Sequence, residues 1–416
     1  MEAAAAASNL NTNNMKLIYY FPLIALIFLN TNCKWFDNND SPKKYGKLNI
    51  VWRTSFKDGG TFGSEAPAIF NNKVVFSNYS SFQPESFFAL NADDGKTQYW
   101  SWEDYISNTT TSVGGKELPI TFGKVLCLPL ANGALGIDMN DGKTLWKNSF
   151  SAPGYHSVFE RCIIKEGYKS GDNKHQSYLK IIDIESGNDR VVFQIDTITT
   201  PFSGFSGVLA NRTVNNDTLL YFTFFELFQQ PDGSLNNYSW LYAYNLSQNK
   251  IVWSHPNIYT AWPPISTNGK LFVVSSGYLF CFDAETGNEI WKQQMHVNSG
   301  GYFKLFDNKL VISDQGGTSF VHAYNLSDGS PAWKISYNGN SSEPVYYKGL
   351  MYFTCGSDGL LWAIRVSNGE IVWKERCPDQ DENDISYWSF GVNVDPVRNK
   401  LYVASFTGAF CLEPAE

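Results

Sequence analysis

The sequence predicts an all-β fold, an eight-bladed propeller of four-stranded antiparallel blades whose last blade is closed by an N-terminal strand. Three observations predict it. One phrase, an apolar run followed by Asp or Asn, then Gly, then Trp, recurs along the chain, as in LFCFDAETGNEIW at 279–291. A second turn signal lies upstream of each phrase. The final copy is divided between the C-terminus and a segment near residue 50.

The phrase aligns on its Asp and Gly positions at Asn91/Gly95, Asp138/Gly142, Asp183/Gly187, Asn245/Asn249, Asp283/Gly287, Asn325/Gly329 and Arg365/Gly369. Successive turns lie 47, 45, 62, 38, 42 and 40 residues apart. That period suits a four-stranded blade and is too long for a solenoid of short coils. The run before the Asp, as in LYAYN or LWAIR, has strand chemistry. Asp or Asn opens a turn because its side chain can bond the backbone two residues on. Gly, or Asn249 in the fourth copy, takes the positive-φ position that closes the hairpin.

A tryptophan follows on the return strand at Trp100, Trp146, Trp253, Trp291, Trp333 and Trp373. In the third copy it is missing, and Val191 or Phe193 stands in. One indole per sheet, in fixed register, is a spacer between neighbouring twisted sheets. The upstream turns are NNK at 71–73, FGK at 122–124, NND at 215–217, NGK at 268–270, DNK at 307–309, KG at 348–349 and RNK at 398–400, with a less clear one near Phe159. Each unit therefore has four strands. At the C-terminus AFCLE aligns with LFCFD, and the chain stops before the turn. Its missing fourth strand is LNIVWRTSF at 48–56, which carries Trp52. Pairing the two ends closes the ring and removes the open edges.

Composition sets the outer limits. The chain has 416 residues, 16% aromatic and 17% charged, which supports a large core and argues against disorder. Net charge is −8, and no contiguous basic stripe suited to nucleic acid is present. Residues 1–14 are a low-complexity extension. Residues 15–33 have the form of a secretory signal: Lys16, then thirteen apolar residues from Leu17 to Leu29, short for a membrane span. The alternative is a single N-terminal anchor helix. Met15 is read as the start, 34–47 as a polar tether and 48–416 as the propeller. The placement of Cys33 resembles a bacterial lipoprotein signal, which implies lipidation there. Asn30 and Asn32 depart from that pattern and only Thr31 fits it.

Ala-x-Asp-x-x-Thr-Gly-x-x-x-Trp is the blade signature of the pyrroloquinoline-quinone-type propeller repeat. The chain resembles that family from about 48 to 413, with AETGNEIW and VSNGEIVW as close matches. The family includes quinoprotein dehydrogenases and non-enzymatic members, among them the eight-bladed lipoprotein of the outer-membrane β-barrel assembly machinery. The resemblance implies a fold and leaves function open.

The dehydrogenase pattern implied by the family uses adjacent cysteines, a calcium-binding acid with an Asn, and an Asp base. Adjacent cysteines are absent here, and no bound cofactor is expected. None of His156, His175, His255, His296 and His322 has an i, i+2 or i, i+4 histidine partner, so no metal cluster is expected. Nucleophile-elbow, Walker-type and dinucleotide motifs are likewise absent. Four of the cysteines, Cys127, Cys281, Cys355 and Cys411, lie in apolar runs as small buried hydrophobes; a disulfide at Cys162 or Cys377 stays open.

Recognition is expected on the connections between the second and third strands, which vary most: 78–86, 166–177 and 227–239. Phe82, Phe228, Tyr238 and Trp262 are its candidate anchors, and Trp102, Trp240 and Trp388, outside the repeat register, are further candidates for exposed contacts. Three functions remain open: a protein-interaction scaffold at the cell envelope, with barrel-assembly components as partners; a quinoprotein-type enzyme; and a carbohydrate- or ligand-binding propeller.

Overall fold

Short apolar runs bounded by positive-φ turns can satisfy their backbone only by pairing with one another. In the computed structural model they do so blade by blade. The structure describes residues 48–416 except 56–65, 79–85, 104–117, 131–132, 150–155, 172–173, 198–202, 214, 230–234, 261, 296–300, 314–318, 338–340, 356–357, 380–386, 389–390 and 406. Cys33 and Phe82 lie outside the described residues.

Thirty-two strands form eight four-stranded antiparallel sheets. Seven are sequential, with strands termed A to D; the first comprises Ala68–Phe70, Lys73–Asn78, Ser86–Asn91 and Gln98–Glu103. The eighth joins Asn393–Asp395, Lys400–Ala404 and Gly408–Leu412 to the N-terminal strand Ile50–Ser55. Trp52 pairs with Cys411, so the ring closes as the divided phrase predicts. The two chain ends also share the turn: Glu413 donates its backbone N–H to Asn49 at 2.9 Å. Innermost A strands of neighbouring blades approach one another around the axis.

Two hairpin turns per blade share one end of the ring, the turn face, and bond each other. Met139 N–H donates to the Lys124 carbonyl at 2.8 Å, and Ala284 N–H to Gly269 at 2.9 Å. Upstream turns carry positive φ at Asn71 (54°), Gly123 (55°), Glu160 (53°), Asn216 (66°), Asn268 (52°), Asp307 (51°), Lys348 (49°) and Asn399 (55°). Glu160 identifies the unclear third-blade turn. Gly95, Gly142, Gly187, Asn249, Gly287, Gly329 and Gly369 all lie between 51° and 75°. Asp283 shows how the turn is held: the Thr286 backbone N–H donates to its carboxylate at 2.8 Å and keeps it below the ordinary carboxylate range.

Six of the eight seams between blades repeat one contact, a clasp. The indole of one blade lies on the turn glycine of the next, and its N–H donates to the carbonyl after the Asp position. Trp100 lies on Gly142 and donates to Met139 at 3.0 Å. A Cβ at Gly142 would stand 2.5 Å from that ring, so φ and contact both demand glycine. The same contact joins Trp52 to Gly95, Trp146 to Gly187, Trp253 to Gly287, Trp291 to Gly329 and Trp333 to Gly369. Trp291 sits differently: its indole N–H finds no acceptor among the described residues. Trp373 packs against Tyr352, and the C-terminal tail takes the turn's place, with Ala415 N–H donating to the Tyr352 hydroxyl at 3.1 Å.

Candidate functional site

Six blades have B and C strands of five to seven residues. Blades three and four do not. Their central ladders are Cys162–Gly171 with Lys174–Asp183, and Thr218–Gln229 with Leu235–Asn245. Pairing runs without interruption to Gly171↔Lys174 and to Gln229↔Leu235. The segments 166–177 and 227–239, expected as variable loops, are therefore mostly strand. The physical reason is that β-rich runs such as TLLYFTFFELFQ pair readily with a neighbouring strand, which satisfies their backbone groups. The result is two adjacent β-arms projecting from the face opposite the turns.

The candidate anchors divide. Phe228 lies on the fourth-blade arm and pairs with Asn236. Tyr238 pairs with Glu226, is 43% exposed and stacks on Trp240 at 6.3 Å. Trp262 is away from the arms: half-buried, it donates its indole N–H to Gly301 at 3.1 Å and packs against Phe272, Phe303 and their neighbours. It wedges the connections between blades instead of presenting an anchor. Trp102 and Trp388 are not surface contacts. Both are buried, with indole N–H bonds of 2.9 Å to the Thr144 hydroxyl and 3.0 Å to the Glu375 carbonyl. Position outside the repeat register does not imply exposure, because connections between blades also need apolar filling.

At the base of the arms Glu166, largely enclosed, accepts the Phe205 N–H at 3.0 Å. Burial pushes its carboxyl up to about 7, against the pull of that bond and of Lys165. His156 pairs with Lys165 across the A and B strands, and burial, then the charges of Lys165 and Lys304, press it down to about 4. Lys304 is ion-paired with Glu343, whose other oxygen accepts the Leu118 N–H at 3.0 Å. This axial polar network, joining residues of blades two, three, six and seven, had no signal in the sequence because its members lie tens to hundreds of residues apart.

The axial residues do not fit a bound quinone with its calcium. Both oxygens of the axial carboxylate Glu343 already have partners, and the adjacent cysteines of the dehydrogenase pattern do not occur in the chain. Burial also pushes the Cys281 and Cys411 thiols up to about 11 and about 12, away from nucleophile chemistry. Among the described residues no three His, Cys, Asp or Glu side chains converge as metal ligands. A cavity of about 780 Å³ opens between the A strands of blades eight, one and two at the turn face. Its polar wall is internally bonded: Arg398 donates to the Asn71 carbonyl at 2.7 Å and pairs with Asp395 at 2.9 Å and Asp93 at 3.1 Å.

The family model described as outer membrane protein assembly factor BamB matches residues 47–211, 233–293 and 276–405. The chain belongs to this family of quinone-type propeller repeats. BamB of Burkholderia pseudomallei is 22% identical over 357 residues, 77% of this chain and 81% of that protein. Tetrathionate hydrolase of Acidithiobacillus ferrooxidans is 33% identical over 94 residues, and quinohemoprotein alcohol dehydrogenase of Comamonas testosteroni 25% over 158. The matches span only 18% and 22% of those two proteins. Among solved structures, BamB of Moraxella catarrhalis superposes with a TM-score of 0.55 at 14% identity, over 88% of this chain and all of that one. The Sqt1 propeller of Saccharomyces cerevisiae does so at 0.54 and 9%. At such identities the superpositions establish the fold alone.

Proposed function

We propose that this chain is a non-catalytic scaffold of the BamB type at the bacterial cell envelope, contributing to outer-membrane protein assembly. The observation that carries this reading is mutual coverage: BamB matches along most of both proteins, whereas the two enzymes match along fragments. Export through residues 15–33 and lipid attachment at Cys33 complete the proposal. The arms of blades three and four are the proposed partner face, with Tyr238 and Phe228 as its contacts. A paired sheet arm that presents the exposed Tyr238 is suited to binding, because little backbone order is lost on contact.

Purification of the tagged chain from native membranes tests it. Recovery of outer-membrane assembly components by the wild type, and their loss with Tyr238→Ala, is the expected outcome. Recovery of none of those components would sink the reading.

A further inference from the structure

The D strands of blades five to eight share a feature that the other four blades lack. The residue after the clasp tryptophan is a cation, and an aromatic side chain stands opposite it on the C strand. Lys292 pairs with Phe280, Lys334 with His322, Lys374 with Trp362 and Arg53 with Phe410. The ammonium of Lys292 lies 3.9 Å from the Tyr278 ring and 4.8 Å from Phe280. Lys334 lies 3.6 Å over Phe320, Lys374 5.0 Å over Trp362, and the Arg53 guanidinium 5.8 Å from Phe410. The remaining blades have Ser101, Ser254 and Gln194 at this place, or Lys147 opposite Leu135.

All four cations are exposed. Arg53 is neutralised by Asp379 at 2.6 Å. Among the described residues, no ion pair joins Lys292, Lys334 or Lys374 to a carboxylate. Because the register is shared, the propeller's rotation places these three at one height on the rim of adjacent blades. A chain of net charge −8 thus carries an arc of positive charge on its rim, in which the field of Asp358 acts on Lys374 without an ion pair. The rings beneath give the arc its second property. An exposed lysine ordinarily loses much of its rotamer freedom when it is fixed by a partner. Here a ring already holds each ammonium, leaving its outward N–H donors facing solvent.

We infer that the rim of blades five to seven is an interaction surface for an acidic polypeptide segment, which it holds through the seated ammonium groups of Lys292, Lys334 and Lys374. A polypeptide is favoured over a lipid surface by shape. The cations follow a convex rim, which an extended chain can trace and a flat bilayer meets at one blade at a time. This surface is distinct from the arms of blades three and four, and failure of the scaffold reading leaves it standing.

The test is fluorescence anisotropy of the full chain with a labelled oligo-glutamate peptide. Wild type binds, more weakly as salt rises. K292Q/K334Q/K374Q binds at least about ten-fold more weakly, whereas K292R/K334R/K374R keeps its affinity because the rings seat guanidinium as well. The control K96Q/K143Q/K250Q, elsewhere on the surface, stays within about two-fold of wild type. Unfolding midpoints are measured in parallel; if the triple Gln variant does not fold, K334Q/K374Q takes its place. Failure of the wild type to bind, equal loss in the control, or retention by the Gln variant would overturn the proposal. So would a variant that loses binding to phosphatidylglycerol vesicles while keeping the peptide.

Discussion

Six of the eight seams of this propeller are built alike; the seam between blades seven and eight keeps its indole, Trp373, but has the C-terminal tail for a turn, and the one between blades three and four has neither indole nor glycine. At six seams an indole lies on the next blade's turn glycine, and five of those indoles also bond a backbone carbonyl. Blade three has no such tryptophan, and blade four has Asn249 where the glycine would be. These two departures, 56 or more residues apart in the chain, are one event in space. Without an indole to receive, the turn no longer requires a bare Cα, and Asn249 holds φ at 51° with the Tyr244 hydroxyl on its side chain.

The seam is refilled by other means. Phe193 contacts Phe205, Phe222 and Tyr244 at 5.9, 5.0 and 4.8 Å, so Phe193 and not the 47%-exposed Val191 fills the tryptophan's place. Above it Ser177 donates to the Ser203 carbonyl at 3.2 Å, and Glu166 receives the Phe205 N–H. One stereotyped apolar clasp has been exchanged for an aromatic cluster plus buried polar contacts. The arms rise from this seam, so departure from the repeat and departure from short strands occur together.

The comparison can be broken by substitution. Trp100→Ala should cost about 3–5 kcal/mol in urea unfolding, since it empties a core position and leaves the Met139 carbonyl without its donor. Gly142→Ala should cost roughly 3 kcal/mol, combining left-handed strain with an impossible approach to the indole. Asn249→Ala, at the seam without an indole, should cost only about 1 kcal/mol. Equal costs at positions 142 and 249 would mean that the ring contact is immaterial.

The polar seam should also respond to pH between about 4.5 and 7.5, whereas the turn carboxylates of the clasped seams, such as Asp283, titrate below that window. Glu166 is held at about 7 in the fold, above its ordinary 4.5, so the folded chain binds this proton more tightly than the unfolded one. Its contribution is full below pH 4.5 and is lost as pH rises through about 7. Glu166→Gln keeps an acceptor for Phe205 and removes the titration. Its stability relative to wild type should therefore rise by roughly 3 kcal/mol between about pH 4.5 and 7.5. A difference that is flat across that window would show that the carboxyl is not enclosed. His156, held near 4, acts with the opposite sign, since protonation of the unfolded chain costs stability below pH 6.5.

Much of this was legible in the sequence because it is local and repeated. DAETGNEIW at 283–291 contains the turn acid, the positive-φ glycine and the clasp indole within nine residues, and AFCLE with IVWRT discloses the closing blade. The arms were misread as loops because variable length resembles insertion when no partner strand is in view. Trp102, Trp262 and Trp388 were misjudged because nothing local tells a buried wedge from an exposed platform. The cationic arc escaped notice for the same reason: Lys292, Lys334 and Lys374 lie about forty residues apart, and only the ring makes them neighbours.

Native-state hydrogen exchange across all eight blades tests the central claim most directly, that a ring closed by its two ends has one seam, between blades three and four, without a clasp indole. The account predicts that amides of Ile50–Ser55 and Gly408–Leu412 exchange together and as slowly as the other D and C strands. It also predicts that opening of lowest free energy begins in the A strand Ser203–Arg212, at the seam between blades three and four. Early exchange of Ile50–Ser55, with Ser203–Arg212 as protected as its counterparts, would contradict it.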